Sequence, residues 1–194
     1  MTYDKFSDQM LIDAFVSGDK KCIGVLIDRY KDKVYSYIIL NVKNPTIADD
    51  IFQDTFLKVM SSLRSRSYSE EGKFLPWVMR IAHNLVIDYY RYEKNNVQTS
   101  SDENEYVLNS SSLADSTVED RIVNEQILSD VKKLLEYLPP EQKEVIMLRH
   151  YGGMSFKEIA DVTNVSINTA LGRMRYAIMN LRRIVDETKI ILTR

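Results

Sequence analysis

The chain has little of several residue types that build particular classes of protein. Its 194 residues include one cysteine, two histidines, six glycines and four prolines. A single cysteine excludes an internal disulfide framework and suits a reducing compartment. The two histidines, His83 and His150, lie far apart in sequence with no cysteine nearby, which argues against a zinc site. We therefore expect neither a metal nor a cofactor.

Long apolar runs and a secretory leader are also missing. No segment approaches the ~20 consecutive apolar residues that a membrane span needs, and the N-terminus lacks the basic-then-apolar layout of a signal peptide. We expect a cytoplasmic protein with no direct membrane insertion. Neither a nucleophile elbow nor a phosphate-binding glycine loop occurs in the sequence. The chain is therefore predicted not to be an enzyme.

Charge is distributed unevenly along the chain. The net charge of −2 divides into +1 for residues 1–94, −7 for residues 95–130 and +4 for residues 131–194. Residues 95–120 contain no lysine or arginine, and they are rich in Asn, Ser, Asp and Glu. Such a segment has few side chains that could anchor a core. The sequence predicts two domains, 1–94 and 121–194, joined by an acidic flexible linker at 95–120.

Both predicted domains have the pattern of helical proteins. Apolar residues recur three and four positions apart, no clear two-residue alternation occurs, and glycine and proline are scarce. The expected fold class is all-α, with two small helical domains. Prolines at 139–140 and glycines at 152–153 bracket one predicted helix of the C-terminal domain. Residues 119–137 are predicted to form the helix before it.

Residues 154–183 have the pattern of a helix-turn-helix. Ser155 and Glu158 match a capping box at the start of the first helix. Asn164 stands where the chain must turn sharply, and Asn tolerates left-handed backbone angles. Ser166 is placed to cap the second helix. The residues of that helix predicted to face the core are Ile167, Ala170, Met174, Ala177, Ile178 and Leu181.

The opposite side of the second helix is polar and basic, which indicates a DNA-binding surface. It carries Asn168, Thr169, Gly172, Arg175 and Tyr176, with Arg173 at its edge. Glycine in the middle of a helix costs about 1 kcal/mol relative to alanine, and close approach to a DNA groove would compensate. A basic helix attracts phosphate and fits the major groove. The simpler alternative is a solvated basic helix end.

A predicted helix that begins at Pro45 has one apolar face and one acidic face. Asp49, Asp50, Gln53 and Asp54 share the acidic face, since residues three and four apart are neighbours on a helix. Three carboxylates could hold Mg²⁺ for nuclease chemistry, but nothing else in the sequence completes such a site. A solvated face and a protein-docking face are the other interpretations, and the resemblance described below favours docking.

The helix predicted at 74–93 combines aromatic with cationic side chains. Such a mixture can hold an unpaired nucleic acid strand by stacking and charge, although most aromatic residues in helices belong to the core. Trp77 is predicted to be buried, whereas Asn84 and Asp88, one turn apart, are candidates to meet a base edge. The polar loop at 64–72 could form a pocket for an extruded base.

Three sequence blocks, at residues 48–60, 74–91 and 138–177, resemble bacterial sigma-70-family factors of the extracytoplasmic-function (ECF) group. Their order and spacing are far more specific than a lone helix-turn-helix. The string SINTALGRMRYA at 166–177 resembles the subset common in Bacteroidetes-type bacteria. The resemblance implies a sigma factor that binds core RNA polymerase and directs it to promoters, where it recognises minus-35 and minus-10 elements to initiate transcription.

The resemblance also implies roles for individual residues. The residues matching those that dock on the clamp helices of the polymerase largest subunit are Asp50, Gln53 and Asp54. The residues matching the minus-10 DNA-binding set are Lys73, Arg80, Asn84, Asp88 and Arg91. In that set Asn84 and Asp88 match residues that contact bases, and the three cationic residues match residues that contact phosphates. Those matching the minus-35 DNA-binding set are Asn168, Thr169, Leu171, Gly172, Arg173, Arg175 and Tyr176.

Partners and specificity also follow from the resemblance. Members of this group are commonly held by an anti-sigma factor, often membrane-anchored, so such a partner is expected. Many relatives have Ser and a basic residue where this chain has Gly172 and Leu171, which predicts a different promoter sequence. An ionised Asp88 can only accept hydrogen bonds, so we expect adenine or cytosine opposite it. The alternative function is a polymerase-independent helix-turn-helix transcription regulator.

Overall fold

The computed structural model describes residues 3–69, 73–96 and 133–188. These residues belong to two compact units, and no strand occurs within the described ranges. The predicted fold class, all-α with two small helical domains, is confirmed. No helix in the described parts of the chain combines the length and the hydropathy needed to cross a bilayer.

In its described residues, the N-terminal unit has four α-helices preceded by a 3₁₀ turn at Tyr3–Lys5. The helices are α1 (Asp8–Val16), α2 (Lys21–Val42), α3 (Pro45–Arg64) and α4 (Phe74–Asn96). Helix α2 packs against α1, α3 and α4, and α3 packs against α4. Each helix therefore buries one side and leaves the other side exposed.

A tight connection sets the start of α3 and hence the direction of its acidic face. Lys43 adopts the left-handed conformation (φ 55°) and ends α2, where its N–H donates to the Ile39 carbonyl. The Asn44 side chain then accepts from Thr46 N at 3.0 Å. With Pro45 at the first helical position, this is a complete N-terminal signal for a helix.

The core of the N-terminal unit contains one buried polar pair. The hydroxyl of Tyr37 on α2 lies 2.9 Å from Nδ1 of His83 on α4. Tyr37 is 1% exposed and His83 is 5% exposed. Burial lowers the pKa of His83 because the charged imidazolium loses its hydration. The pair is therefore neutral at pH 7 and joins two central helices.

The prediction that Trp77 is buried is wrong, because this side chain is half-buried. The innermost stripe of α4 instead follows Val78, Ala82 and Val86, all at most 2% exposed. Helices α2 and α3 cover that side of α4. Trp77 stands at the edge of the core, where its ring packs 4.6 Å from the Tyr68 ring, measured between centroids.

The C-terminal unit is built on α5 (Pro140–His150), α6 (Phe156–Thr163) and α7 (Ile167–Thr188), which pack against one another. Of the helix predicted at 119–137, only residues 133–136 are described as helical. Tyr137 lies in a turn rather than in the helix. Residues 119–132 lie outside the described residues, as does the predicted linker except Asn95 and Asn96, which continue α4. The core cluster contains Leu134, Leu135, Leu138, Ala177 and Ile184.

Two residues of α7 do not face the core as predicted. Ile167 is 46% exposed and Ile178 is 42% exposed, whereas Ala170 and Ala177 are completely buried. Small residues at the buried positions let α7 approach its neighbours closely, so the contact strip is narrow. The two isoleucines lie beside that strip, on the flank of the helix.

Candidate protein-docking and nucleic-acid interfaces

The predicted docking residues share one exposed face of α3. Asp50, Gln53 and Asp54 are all exposed, and their spacing of three and four residues places them side by side. Asp49 differs, because its carboxylate hydrogen-bonds to the Tyr35 hydroxyl of α2. Burial and this hydrogen bond raise the pKa of Tyr35. Asp50, Gln53 and Asp54 therefore form an acidic patch that points away from α2, whereas Asp49 contacts α2.

Metal binding was one interpretation of the α3 carboxylates. Within residues 3–69, 73–96 and 133–188, no group of three or more His, Cys, Asp or Glu side chains could hold a metal ion.

The predicted minus-10 residues of α4 also share one side of their helix. The members of this set within the helix are spaced four, four and three residues apart and lie opposite the buried stripe of α4. They are Arg80, Asn84, Asp88 and Arg91. All but Arg80, which is partly buried, are exposed. Nη1 of Arg91 donates to Oδ1 of Asp88 at 3.4 Å. An exposed pair of this kind contributes about 0–1 kcal/mol, so DNA could replace it at little cost. Lys73, also exposed, immediately precedes α4.

Trp77 belongs to the same side of α4, which sequence reasoning missed. It lies seven residues before Asn84 and eleven before Asp88, so all three project in nearly the same direction. The Tyr68 ring packs on it, and the Phe74 ring lies 5.9 Å away between centroids. The spacing from Asn84 was a usable signal, but the general preference of tryptophan for protein cores outweighed it.

A cavity of about 320 Å³ lies beside the loop that was predicted to capture a base. Its walls come from α1, the end of α3 and the loop residues Arg66 and Tyr68. Arg66 adopts the left-handed conformation, with φ of 55°. Nε2 of Gln9 donates to Oδ1 of Asp13 at 2.9 Å. The Gln9 amide oxygen is buried without a hydrogen-bond partner among the described residues. The cavity therefore offers an acceptor, a carboxylate and a guanidinium.

The helix-turn-helix has the caps that its sequence predicts. Ser155 N donates to Glu158 Oε2 at 2.7 Å, and Glu158 N donates to Ser155 Oγ at 3.3 Å. The two bonds complete a capping box. Asn164 is left-handed, with φ of 55° and ψ of 45°, and its N–H donates to the Ala160 carbonyl. These local bonds fix the angle at which α7 leaves the turn.

Helix α7 presents the predicted minus-35 residues on its outer side. The exposed members are Asn168, Thr169, Leu171, Arg175 and Tyr176, and the partly buried members are Gly172 and Arg173. Thr169 N donates to Ser166 Oγ at 3.0 Å, and the two hydroxyl oxygens are 2.8 Å apart. The Thr169 hydroxyl is therefore engaged in the N-terminal cap of α7. A Cβ added at Gly172 would have no heavy atom within 4 Å, so packing inside the protein does not require glycine there.

Arg173 faces α5 more than the outer members of the set do. Burial raises the pKa of Glu144 on α5, and the charge of Arg173 acts in the opposite direction. The guanidinium is therefore near this carboxyl group, on the side of α7 that leads to the core. Within the set, Arg173 occupies the border between the outer side of α7 and the side that faces α5.

These features describe an all-helical protein with a helix-turn-helix in one unit and an exposed acidic helix face in the other. Residues 26–96 match the family model for sigma-70 region 2, and residues 128–174 match the family model for sigma-70 region 4. Together the two matches cover more than half of the chain. The chain belongs to the sigma-70 family of RNA polymerase sigma factors, in its ECF group, and it directs the polymerase to promoters.

Similarity to individual relatives extends over most of the chain. The ECF RNA polymerase sigma-E factor of Haemophilus influenzae is 27% identical over 175 residues, covering 88% of this chain and 91% of that protein. The ECF RNA polymerase sigma factor SigW of Bacillus subtilis is 27% identical over 170 residues, covering 86% and 90%. The predictions of a sigma factor and of a non-enzyme are confirmed, and the polymerase-independent alternative is not supported.

Two solved structures share this fold. One is CnrH in complex with the cytosolic domain of CnrY, with a TM-score of 0.63, 24% identity and coverage of 93% of this chain and 97% of that chain. The other is the sigma factor RpoE in complex with the anti-sigma factor NepR from Bartonella quintana. It has a TM-score of 0.65, 19% identity and coverage of 84% and 96%.

Proposed function

We propose that three helix faces divide the work of this sigma factor. Asp50, Gln53 and Asp54 on α3 dock on the largest subunit of core RNA polymerase. The outer side of α4, together with Lys73, binds the minus-10 element, and the outer side of α7 reads the minus-35 element. The observation that carries this proposal is that the α3 residues, the α4 residues and most of the α7 residues of the three sets lie on the exposed side of their helix, with Arg173 at the border of the α7 set.

Docking is tested by complex formation with purified core RNA polymerase on a sizing column. The wild type should co-elute with the polymerase, and an Asp50→Ala/Gln53→Ala/Asp54→Ala variant should not. A matched control is Asp28→Ala/Asp32→Ala, which removes two exposed carboxylates from α2 and should still co-elute. Equal retention of the docking variant, shown to be folded, would contradict the assignment.

The minus-10 assignment predicts a base preference at the position that Asp88 meets. Its carboxylate accepts hydrogen bonds, so adenine or cytosine, which have exocyclic amines, should be selected. Transcription from a randomised promoter library should show this preference with the wild type and lose it with Asp88→Ala. Equal use of all four bases by the wild type would refute the contact.

The cavity beside residues 64–69 is proposed to receive an extruded base of the minus-10 strand. Its support is the unpartnered Gln9 amide oxygen, which could accept from a base amine. A 2-aminopurine probe at the extruded position should change fluorescence when the holoenzyme opens the promoter. Gln9→Leu should weaken discrimination at that position and not elsewhere. Loss of discrimination at every position would point to a folding defect instead.

The minus-35 assignment separates phosphate contacts from base contacts. Arg173→Ala should weaken binding across all sequences, whereas Arg175→Ala or Tyr176→Ala should relax the choice of particular base pairs. Few cations are available on α7, so the free protein should bind DNA weakly and with strong salt dependence. Nanomolar binding of a promoter duplex without polymerase would contradict this view.

An anti-sigma factor is the proposed regulatory partner. The support is the family together with the two solved relatives, one in complex with the cytosolic domain of CnrY and the other in complex with the anti-sigma factor NepR. Such a partner should compete with core polymerase for this chain in the sizing-column assay.

We further propose that the domains span residues 1–94 and 121–194. We also propose a cytoplasmic location, beside polymerase and DNA. The string at 166–177 is the basis for proposing that the chain belongs to a Bacteroidetes-type subset of the group.

A further inference from the structure

Leu57 is an exposed apolar side chain at the C-terminal end of the acidic face of α3. It is 58% exposed. It follows Asp50 by seven residues, Gln53 by four and Asp54 by three, so all four side chains project from the same side of the helix. The opposite side of α3 is buried, with Thr55 and Val59 completely inaccessible. Leu57 therefore stands between the docking residues and the C-terminal half of the exposed face.

The helix itself does not require leucine at this position. Lysine or glutamate favours a helix nearly as well as leucine does and would be better solvated on an exposed surface. Isolated exposed apolar residues are common on proteins, so exposure alone is not the argument. The argument is position: among the described residues of the N-terminal unit, the other exposed large apolar side chains, Met10, Tyr90 and Tyr92, lie on α1 and α4.

We propose that Leu57 is the apolar anchor of the polymerase-docking face. This inference rests on the proposed function of α3. An apolar centre enclosed by polar groups is the usual arrangement of a strongly contributing contact in a protein interface. Two exposed carboxylates, at Asp50 and Asp54, lie on the same surface as Leu57. The complementary surface on core polymerase is therefore an apolar socket with basic groups at its rim.

The test measures the dissociation constant of the full chain for core polymerase, with a fluorescent label on the sigma factor. Leu57→Ala should weaken binding by about tenfold, equivalent to about 1.4 kcal/mol. Leu57→Met, which keeps the apolar volume, should stay within about twofold. Met10→Ala removes another exposed apolar side chain of the same unit, on α1, and should bind like the wild type. Alanine favours helix, so the thermal midpoint of Leu57→Ala should not fall.

Salt separates the apolar contact from the ionic ones. The defect of the Asp50→Ala/Gln53→Ala/Asp54→Ala variant should shrink as salt rises, because screening weakens charge attraction in the wild type. The defect of Leu57→Ala should persist at high salt. Both results together support an apolar anchor within a charged rim.

The outcomes also separate this inference from the proposed function. If the triple variant loses binding while Leu57→Ala binds like the wild type, Leu57 is not an anchor, although the docking face stands. If neither variant loses binding, the docking assignment itself fails. A change in self-association on Leu57→Ala without a change in polymerase affinity would assign the residue to a second copy of this chain, and it would overturn the inference.

Discussion

Replacing Gly172 by alanine should stabilise this protein and impair its promoter recognition at the same time. Gly172 lies inside α7, its φ is not in the left-handed region, and an added Cβ would have no heavy atom within 4 Å. The free protein therefore has no steric reason to prefer glycine. Alanine in a helix interior is favoured over glycine by about 0.5–1 kcal/mol. For a small domain this corresponds to about 4–8 °C per kcal/mol in the unfolding midpoint.

The methyl group should be harmful only when DNA occupies the outer side of α7. An extra carbon forced into a closely packed contact costs about 1–3 kcal/mol, which corresponds to about 5- to 150-fold in affinity. Thermal unfolding followed by circular dichroism measures the gain in stability. Transcription by the holoenzyme from a promoter with its minus-35 element measures the loss of recognition.

Gly24→Ala provides the matched control. Gly24 lies in α2, and an added Cβ there would also have no heavy atom within 4 Å. This variant should gain stability by the same propensity effect and leave transcription unchanged. If Gly172→Ala gained stability with full transcription, the backbone of α7 would not approach the DNA closely at this position. If Gly172→Ala lost stability, the propensity argument itself would be refuted.

Two further predictions concern the caps and the buried histidine. Ser155→Ala removes the capping-box hydroxyl, so we expect the free energy of unfolding to fall by about 1–2 kcal/mol, with a lower unfolding midpoint. Ser155→Thr keeps the hydroxyl and should keep the wild-type midpoint. An unchanged midpoint for Ser155→Ala would show that the capping box does not contribute to stability. Because burial lowers the pKa of His83 from its ordinary 6.5, the unfolded chain binds more protons than the folded one below that pH. Stability should therefore fall as pH drops below about 6.5, measured by urea unfolding. His83→Gln should flatten the dependence of stability on pH, and His150→Gln, at an exposed position, should keep the wild-type dependence. The same change of stability with pH in the wild type and both variants would contradict the role of His83.

The local signals of the C-terminal unit could be predicted in detail. Ser155 and Glu158 form their capping box, Asn164 takes the left-handed conformation and Ser166 caps α7. Each of these features depends on hydrogen bonds between residues at most four positions apart. A side chain and a backbone group so close in sequence can pair before any distant part of the chain is in place, so the sequence carries the whole signal.

The faces that pack against other helices were predicted less well. Trp77, expected in the core, is half-buried, and Ile167 and Ile178 lie on the flank of α7 rather than in its contact strip. Hydrophobic periodicity shows that a helix has an apolar side, but that side spans an arc several residues wide. Which part of the arc is covered depends on where the neighbouring helices lie.

The same division applies to the candidate sites. The two helical units, the helix-turn-helix with its caps, and the residue blocks that mark a sigma factor can be predicted without coordinates. Helix signals and motifs are properties of neighbours along the chain. Only the tertiary structure showed that Trp77 is half-buried rather than in the core, and that Arg173 lies near Glu144. The tertiary structure also showed that the Leu57 side chain on the acidic face is exposed to solvent. These facts depend on contacts between helices distant in sequence, which no local pattern encodes.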